Sequence, residues 1–388
     1  MTLSVDEALR LLESEVPPPE AASIPLRDAL GLVLAEDVAA DMDFPPFAKA
    51  MMDGYAVVAS DAAELEVVEE ITAGQVAMRA VRPGTCAKIM TGAPVPPGAD
   101  AVQQIEKTER RGSRVRLLDP VKPGQNVAPR GQDAREGEVV LRSGSVLRSA
   151  SIGALAAVGR TEVRVLRRPG VALLVTGDEI VEPGEPLGPG QIRNSNAASL
   201  LAQLAEAGFA ARYLGVARDR EDEIRAKVRE GLAHDVLILS GGVSAGDKDL
   251  VIPCLEAEGV RHRMHHVDIK PGRPFFYGTR DRKRVFGLPG NPVSTFVTFE
   301  VFVRWFLGRM CGLDLRRPRV RVPLRPPAPK KSDREQYLPA ALGPGGAGPL
   351  PWKGSADLFT VARADAMIVV RPGEQPREGD LVEVMMLS

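Results

Sequence analysis

Cysteine, histidine and aromatic side chains are scarce in this chain, and no apolar run is long. The three cysteines, Cys86, Cys254 and Cys311, are far apart and odd in number. They make neither a disulfide framework nor a zinc-ligand spacing, which fits a reducing cytoplasm. No apolar stretch approaches the ~18 residues of a membrane span. The N-terminal "MTLSVDEALRLLESEV" reads as an acidic amphipathic helix, not a signal peptide. The formal net charge is −1, so no global field recruits nucleic acid or an acidic membrane, and any anion site must be local. His262, His265 and His266 lie together in "RHRMHHVD". On a strand His262 and His266 would share a face, but no third ligand is evident and nearby arginines oppose a cation. No Cys–His pair or G-x-S-x-G turn points to covalent catalysis. The expectation is a soluble, cytoplasmic protein with neither nucleic acid nor membrane as partner.

What is present is globular: 44% hydrophobic and 26% charged residues over 388 positions, too many for one ordinary core. Ser4 and Glu7 have capping-box spacing ahead of "ALRLLESEV". A second helix is expected in "PLRDALGLVLAEDV". From Phe44 to Val140, Val-rich runs such as "YAVVAS" and "LEVVEEI" alternate with Gly/Pro turns, a β pattern. "SVLRSASIGALAAVG" returns to helix. This reads as a split helical domain over 1–43 and 141–167, with a β domain of 44–140 inserted. Over 168–316, strands such as "GVALLVTGDE" and "DVLILS" alternate with helices such as "NSNAASLLAQLAEAGF" and "NPVSTFVTFEVFVRWFLGRMCG". That alternation implies a parallel sheet covered on both faces. Residues 317–388 read as a small C-terminal β domain. The fold class is therefore multidomain α/β plus β.

Open α/β sheets bind ligands beyond the carboxyl ends of their strands. Three glycine-bearing loops lie at such ends: "TGDE" (176–179), "SGGVSAGDKD" (240–249) and "GLPGNPVS" (287–294). Glycines let a backbone approach a ligand, and N–H groups at the following helix start hold oxyanions. One such loop is a common turn; three on one edge are a strong signal. "IKPGRPFFYG" adds Lys270 and Arg273, either a solvated basic turn or a grip on an oxyanion. Asp178, Glu179, Asp247 and Asp249 would repel a bare phosphate. They make sense if a divalent cation such as Mg²⁺ bridges carboxylates and phosphate oxygens, with helix capping as the alternative for Asp178 and Asp247. Asp53 in "MMDGYAV", Thr91 in "KIMTGAPVP" and Asp133 in "RGQD" read, on their own, as turn residues.

Taken in order, "MMDGYAV", "KIMTGAPVP", "RGQD", "LLVTGDE", "RNSN", "SGGVSAGDKD", "IKPGRP" and "GLPGNPVS" resemble the molybdopterin molybdenumtransferases, the family of bacterial MoeA and the gephyrin E domain. The resemblance covers essentially the whole chain. It implies an L-shaped homodimer of four-domain subunits with a barrel-like C-terminal domain. The implied reaction inserts molybdate into the dithiolene of adenylylated molybdopterin and releases AMP, with Mg²⁺ on the pyrophosphate. The implied site lies where the α/β domain of one subunit faces the β insert of the other. It would comprise Asp53, Thr91, Asp133, Glu179, Asp219, Asp249, Lys270 and Arg273. Gly241, Gly242, Ser244, Gly290, Asn291 and Ser294 would bind substrate, and Glu179 and Asp249 the metal.

Some positions depart from the family pattern. Arg273 stands where Lys is frequent and Gln132 where Glu is common, and the Arg-rich run before Arg130 is reduced to "APR". Implied partners are the molybdopterin adenylyltransferase that supplies the substrate and the enzymes that receive the cofactor. Competing readings are the adenylyltransferase itself, a CinA-like nucleotide pyrophosphatase and a non-enzymatic scaffold. The β insert argues against the first, and no linker or fused domain supports the last.

Overall fold

A computed structural model describes residues 2–243 and 250–387. The chain forms two compact units, residues 22–165 and residues 1–21 with 166–388. Among the described residues no helix is long and apolar enough to cross a membrane.

In residues 22–165 the helix expected in "PLRDALGLVLAEDV" does not form. The segment makes one 3-10 turn, Leu26–Asp28, and the short strands Val33–Leu34 and Val38–Ala39. Gly31 sits at φ +76°, which ends a helix. Leu34 and Val38 are instead buried with Leu147, Leu155 and Val163, so packing overrides propensity. Helix does form at Ser149–Ala157. The inserted segment is β, with a six-stranded sheet that includes Gly54–Val57, Thr85–Ile89 and Ala101–Gln104. A Cβ on Gly54 would lie 1.8 Å from the Gln103 carbonyl oxygen, so only glycine can follow Asp53 here.

The N-terminal helix Val5–Ser14 has its capping box: Ser4 Oγ accepts from the Glu7 N–H at 3.2 Å, and Glu7 Oε2 accepts from the Ser4 N–H at 2.8 Å. Its Val5, Ala8 and Leu12 are buried with Val171, Ile238 and Phe286. Residues 1–21 therefore pack with the α/β sheet.

The α/β sheet consists of β1 (Val171–Thr176), β2 (Ala211–Ala217), β3 (Val236–Ser240), β4 (Arg261–His266), β5 (Pro274–Arg280) and β6 (Lys283–Leu288), in the order β2-β1-β3-β6-β5-β4. The β1–β2, β1–β3 and β3–β6 pairs are parallel. Every residue of β1 and β3 is buried because both faces are covered. Side chains alternate along β1, so Leu173 and Val175 enter one core and Ala172 and Leu174 the other. Helices α1 (Ser195–Glu206), α2 (Glu221–Gly231) and α3 (Val251–Ala257) connect these strands. β5, which the sequence reading missed together with β4, runs antiparallel to both neighbours.

After β6 the chain enters α4 (Pro292–Thr298), a π-helical turn at Phe299–Val303, and helix Arg304–Met310. The turn carries Glu300, whose side chain is fully buried. It accepts from Arg317 Nε at 2.7 Å and from Gln203 Nε2 at 2.8 Å, with Arg304 3.6 Å away. Losing one partner of a buried pair strands the other charge. Arg317→Met is thus expected to destabilise by about 3–5 kcal/mol, read from urea unfolding followed by Trp305 fluorescence; a loss below about 1 kcal/mol would show that Arg304 compensates.

The C-terminal strands Arg319–Pro323, Glu335–Gly343, Gly346–Pro349, Ala366–Val370 and Leu381–Met386 pair antiparallel around their own core. A bridge between Leu324 and Ala347 joins the two ends of that path, which makes it barrel-like. Ile269–Lys270 adds to the same sheet beside Glu335 and Gln336.

Candidate active site

Topology decides where a ligand sits. The chain leaves β1 for β2 on one side and returns to β3 on the other, so the carboxyl ends of β1 and β3 open a crevice. A cleft of about 520 Å³ occupies this place, walled by the loops after β1, β2, β3 and β6. Gly241 and Gly242 lie in it at φ +93° and +62°. A Cβ on Gly241 would meet the Thr176 carbonyl oxygen at 2.7 Å, and one on Gly242 would meet Val251 Cγ2 at 2.4 Å. Only a bare backbone fits here, as a close ligand approach requires.

Two asparagines set the frame. Asn194 caps α1, its Oδ1 accepting from the Ala197 N–H at 3.0 Å. Its Nδ2 donates to Tyr213 Oη and Glu182 Oε1, and Tyr213 also donates to Glu182. Burial and the adjacent carboxylate push the Tyr213 hydroxyl above its ordinary range. Asn196, in the first turn of α1, donates from Nδ2 to Ser240 Oγ at 2.9 Å and to the Gly290 carbonyl at 2.8 Å, tying two loops together. Asn291 stands at the N-cap of α4. Its side chain donates to Ser355 Oγ at 2.9 Å, and the Ser355 carbonyl accepts from the Val293 N–H. Ser294 is buried in the cleft wall.

The acids gather at one rim. Glu179 and Asp219 both line the cleft. The Asp219 N–H donates to Asp178 Oδ1 at 3.1 Å, and Arg218 donates to the Asp178 carbonyl at 2.8 Å. Partial shielding from water raises the Asp219 pKa above the ordinary carboxylate range, and the charges of Asp178 and Glu179 add to this. Asp219 does not cap α2, whose N-cap is Arg220 with no side-chain cap bond. Among the described residues no group of three His, Cys, Asp or Glu side chains forms a ready metal site.

Lys270 and Arg273 are exposed and do not line the cleft, although Pro274 does. Neither side chain is ion-paired among the described residues. Gly272 between them has φ +119°, and a Cβ there would lie 2.5 Å from Thr298 Cγ2 in α4. His265 Nε2 lies 2.9 Å from the Val243 carbonyl, where the β3 loop begins. Ser244, Asp247 and Asp249 lie outside the described residues.

In the other unit Asp53 and Thr91 meet. Asp53 Oδ1 accepts from both the Thr91 N–H and the Thr91 hydroxyl, each at 2.7 Å. These bonds hold the carboxyl below its ordinary range. Asp133 is exposed on a separate turn, its N–H donating to the Phe44 carbonyl, and no hydrogen bond joins it to the Asp53–Thr91 pair among the described residues. Arg130 instead pairs with Asp43 at 2.7 Å.

Known proteins match this arrangement over its full length. The family regions described as "MoeA N-terminal region (domain I and II)", "Probable molybdopterin binding domain" and "MoeA C-terminal region (domain IV)" match residues 3–159, 172–309 and 321–387. A molybdopterin molybdenumtransferase of Bacillus subtilis (strain 168) is 34% identical over 99% of this chain and 94% of its own length. The chain belongs to the molybdopterin molybdenumtransferase family. Molybdopterin molybdenumtransferase 2 of Mycobacterium tuberculosis (strain ATCC 25618 / H37Rv) is 35% identical over 87% of this chain and 84% of its own. The crystal structure of a molybdopterin biosynthesis MoeA protein from Pyrococcus horikosii superposes with a TM-score of 0.86 at 33% identity, covering all of both chains. This molybdenumtransferase-family chain is thus a transferase of molybdenum cofactor biosynthesis.

The sequence reading missed Thr176, Asn196 and Ser240 as residues of this family member's cleft, and Ser355 as the partner that holds Asn291. Thr176 and Ser240 end the two buried strands, and a rule that the last polar residue of such a strand faces the crevice would have found them. Ser355 offered no signal, because it arrives from the C-terminal domain.

Proposed function

We propose that this transferase inserts molybdenum from molybdate into adenylylated molybdopterin and releases AMP. The acidic rim of the cleft carries the reading. Asp178, Glu179 and Asp219 concentrate negative charge beside glycine loops suited to phosphate, and a bridging cation reconciles the two. Glu179 and Asp219 are the described carboxylates that would hold Mg²⁺, with Asp249 as a further candidate from the sequence. Bound there, Mg²⁺ would offset the charge of the pyrophosphate. Lys270, Arg273 and Ser294 would bring molybdate, a tetrahedral dianion, to the dithiolene. Asp53, Thr91 and Asp133 would act from the β insert of a second subunit in a cytoplasmic homodimer. Such a site works by positioning and fixed charge and needs no strong nucleophile.

The test is anaerobic incubation with adenylylated molybdopterin. AMP release is expected only when molybdate and Mg²⁺ are both present. AMP release that ignores molybdate would support a pyrophosphatase instead, and ATP-dependent transfer of AMP to molybdopterin would support an adenylyltransferase.

A further inference from the structure

The loop after β1 turns around a single guanidinium. Arg218, the residue before Asp219, donates from Nη1 to the carbonyls of Asp178 at 2.8 Å, Ile180 at 3.1 Å and Gly177 at 3.4 Å. The remaining carbonyl of the turn, that of Glu179, accepts from the Ile192 N–H at 2.8 Å. All four main-chain oxygens of residues 177–180 are therefore engaged within the fold. Hard cations also take backbone carbonyl oxygens, so this leaves carboxylates as what the turn offers to the cleft. Arg218 is itself anchored, its N–H donating to Glu223 Oε1 at 3.0 Å in the first turn of α2.

A second feature places one of those carboxylates. Gly177 has φ +142°, and a Cβ there would lie 2.6 Å from Glu179 Oε2 and 3.0 Å from Oε1. The Glu179 carboxylate thus folds back over residue 177, where glycine leaves it room. The turn is also joined to Asp219, whose N–H donates to Asp178 Oδ1 at 3.1 Å. Glu179 and Asp219 both line the cleft.

From this geometry we infer that Arg218 is a positioning residue: its guanidinium clasps the turn at 177–180 so that Glu179 and Asp219 present their carboxylates to one divalent cation. This rests on the reading of the acidic rim as the Mg²⁺ site. Arg218 acts through the main chain of the turn, not by contact with the cation. A positive charge beside a cation site by itself weakens cation binding. Its removal therefore separates two roles of opposite sign. A pure charge effect makes Mg²⁺ bind more tightly without Arg218. Loss of the clasp makes Mg²⁺ bind more weakly, because the freed turn must be ordered again on binding.

The experiment is isothermal titration calorimetry of the full chain with Mg²⁺ alone. Arg218→Met keeps an aliphatic stem and removes the donors. It is expected to weaken Mg²⁺ binding about tenfold, with the fold retained by circular dichroism. Arg218→Lys keeps the charge but has a shorter reach and no planar fork. It is expected to bind Mg²⁺ more weakly than wild type as well, and it carries the test if Arg218→Met does not fold. A folded variant whose Mg²⁺ affinity equals or exceeds that of wild type overturns the inference and leaves the metal reading standing. A wild type that does not bind Mg²⁺ overturns the metal reading, and this inference with it.

Discussion

Replacing Asp53 by alanine is expected to slow AMP release by about 10²–10³-fold while leaving the fold intact. The carboxylate is exposed, and its geometry is imposed from outside. Gly54 must lie flat against Gln103, which fixes the backbone next to it, and Thr91 supplies two donors to one oxygen. The Thr91 N–H and then its hydroxyl favour the charged form, outweighing desolvation, with a smaller pull from Lys88. Asp53 is therefore an oriented charge and acceptor at working pH, not a proton donor. The folded pKa is depressed, so the Asp53 limb of the rate profile should lie below the ordinary aspartate range, separate from the limb that the raised pKa of Asp219 sets. Thr91→Val removes one donor, so the acid limb should move to higher pH, with a smaller loss of about tenfold at neutral pH. Asp53→Asn keeps the shape and deletes the charge. If it transfers molybdenum at the wild-type rate, charge at this position is irrelevant and the assignment of Asp53 to the site is wrong. Circular dichroism melting provides the fold control, because exposed substitutions shift stability little.

What the sequence reveals here follows from how local each interaction is. β1 and β3 are continuous apolar runs because both their faces are covered, and such runs are readable without any partner. The glycine loops follow from the same strands, and the switch-point rule then places the cleft. β4 is harder to see, because "RHRMHH" is a polar edge strand with three exposed residues. The segment after Pro25 has helical composition, yet Leu34 and Val38 are worth more in a core shared with Leu147 and Val163. The Asp53–Thr91 bond spans 38 residues and the Asp178–Asp219 bond 41. No periodicity encodes such pairs, and only the family resemblance singled out Asp53 and Thr91 beforehand. Asn196 shows the remaining gap: it stood inside a recognised motif, but its role depends on the positions of Ser240 and Gly290.

The acidic rim leads to the second large effect. Asp219→Asn is expected to reduce molybdenum transfer on the order of 10²-fold, because it removes a carboxylate that would hold the cation. The same change should behave oppositely in stability. Partial shielding, then Asp178 and Glu179, raise the Asp219 pKa, so the folded state binds this proton more tightly than the unfolded chain. Stability of the wild type is then lost as pH rises from the ordinary aspartate range through the raised value, and Asp219→Asn should lack that portion of the decline. Without divalent cation at neutral pH, the variant should melt slightly above wild type, and added salt should shrink the difference by screening the three carboxylates. Mg²⁺ is expected to invert the order. A cation bound only by the folded state stabilises by about 2.7 kcal/mol at a hundredfold excess over its dissociation constant, so wild type should gain a few degrees that Asp219→Asn does not. Melting curves with and without Mg²⁺, at low and high salt, separate the terms. An equal Mg²⁺ shift in both proteins would locate the cation elsewhere. A variant less stable than wild type without cation would show that Asp219 is held by attraction, not strained by its neighbours.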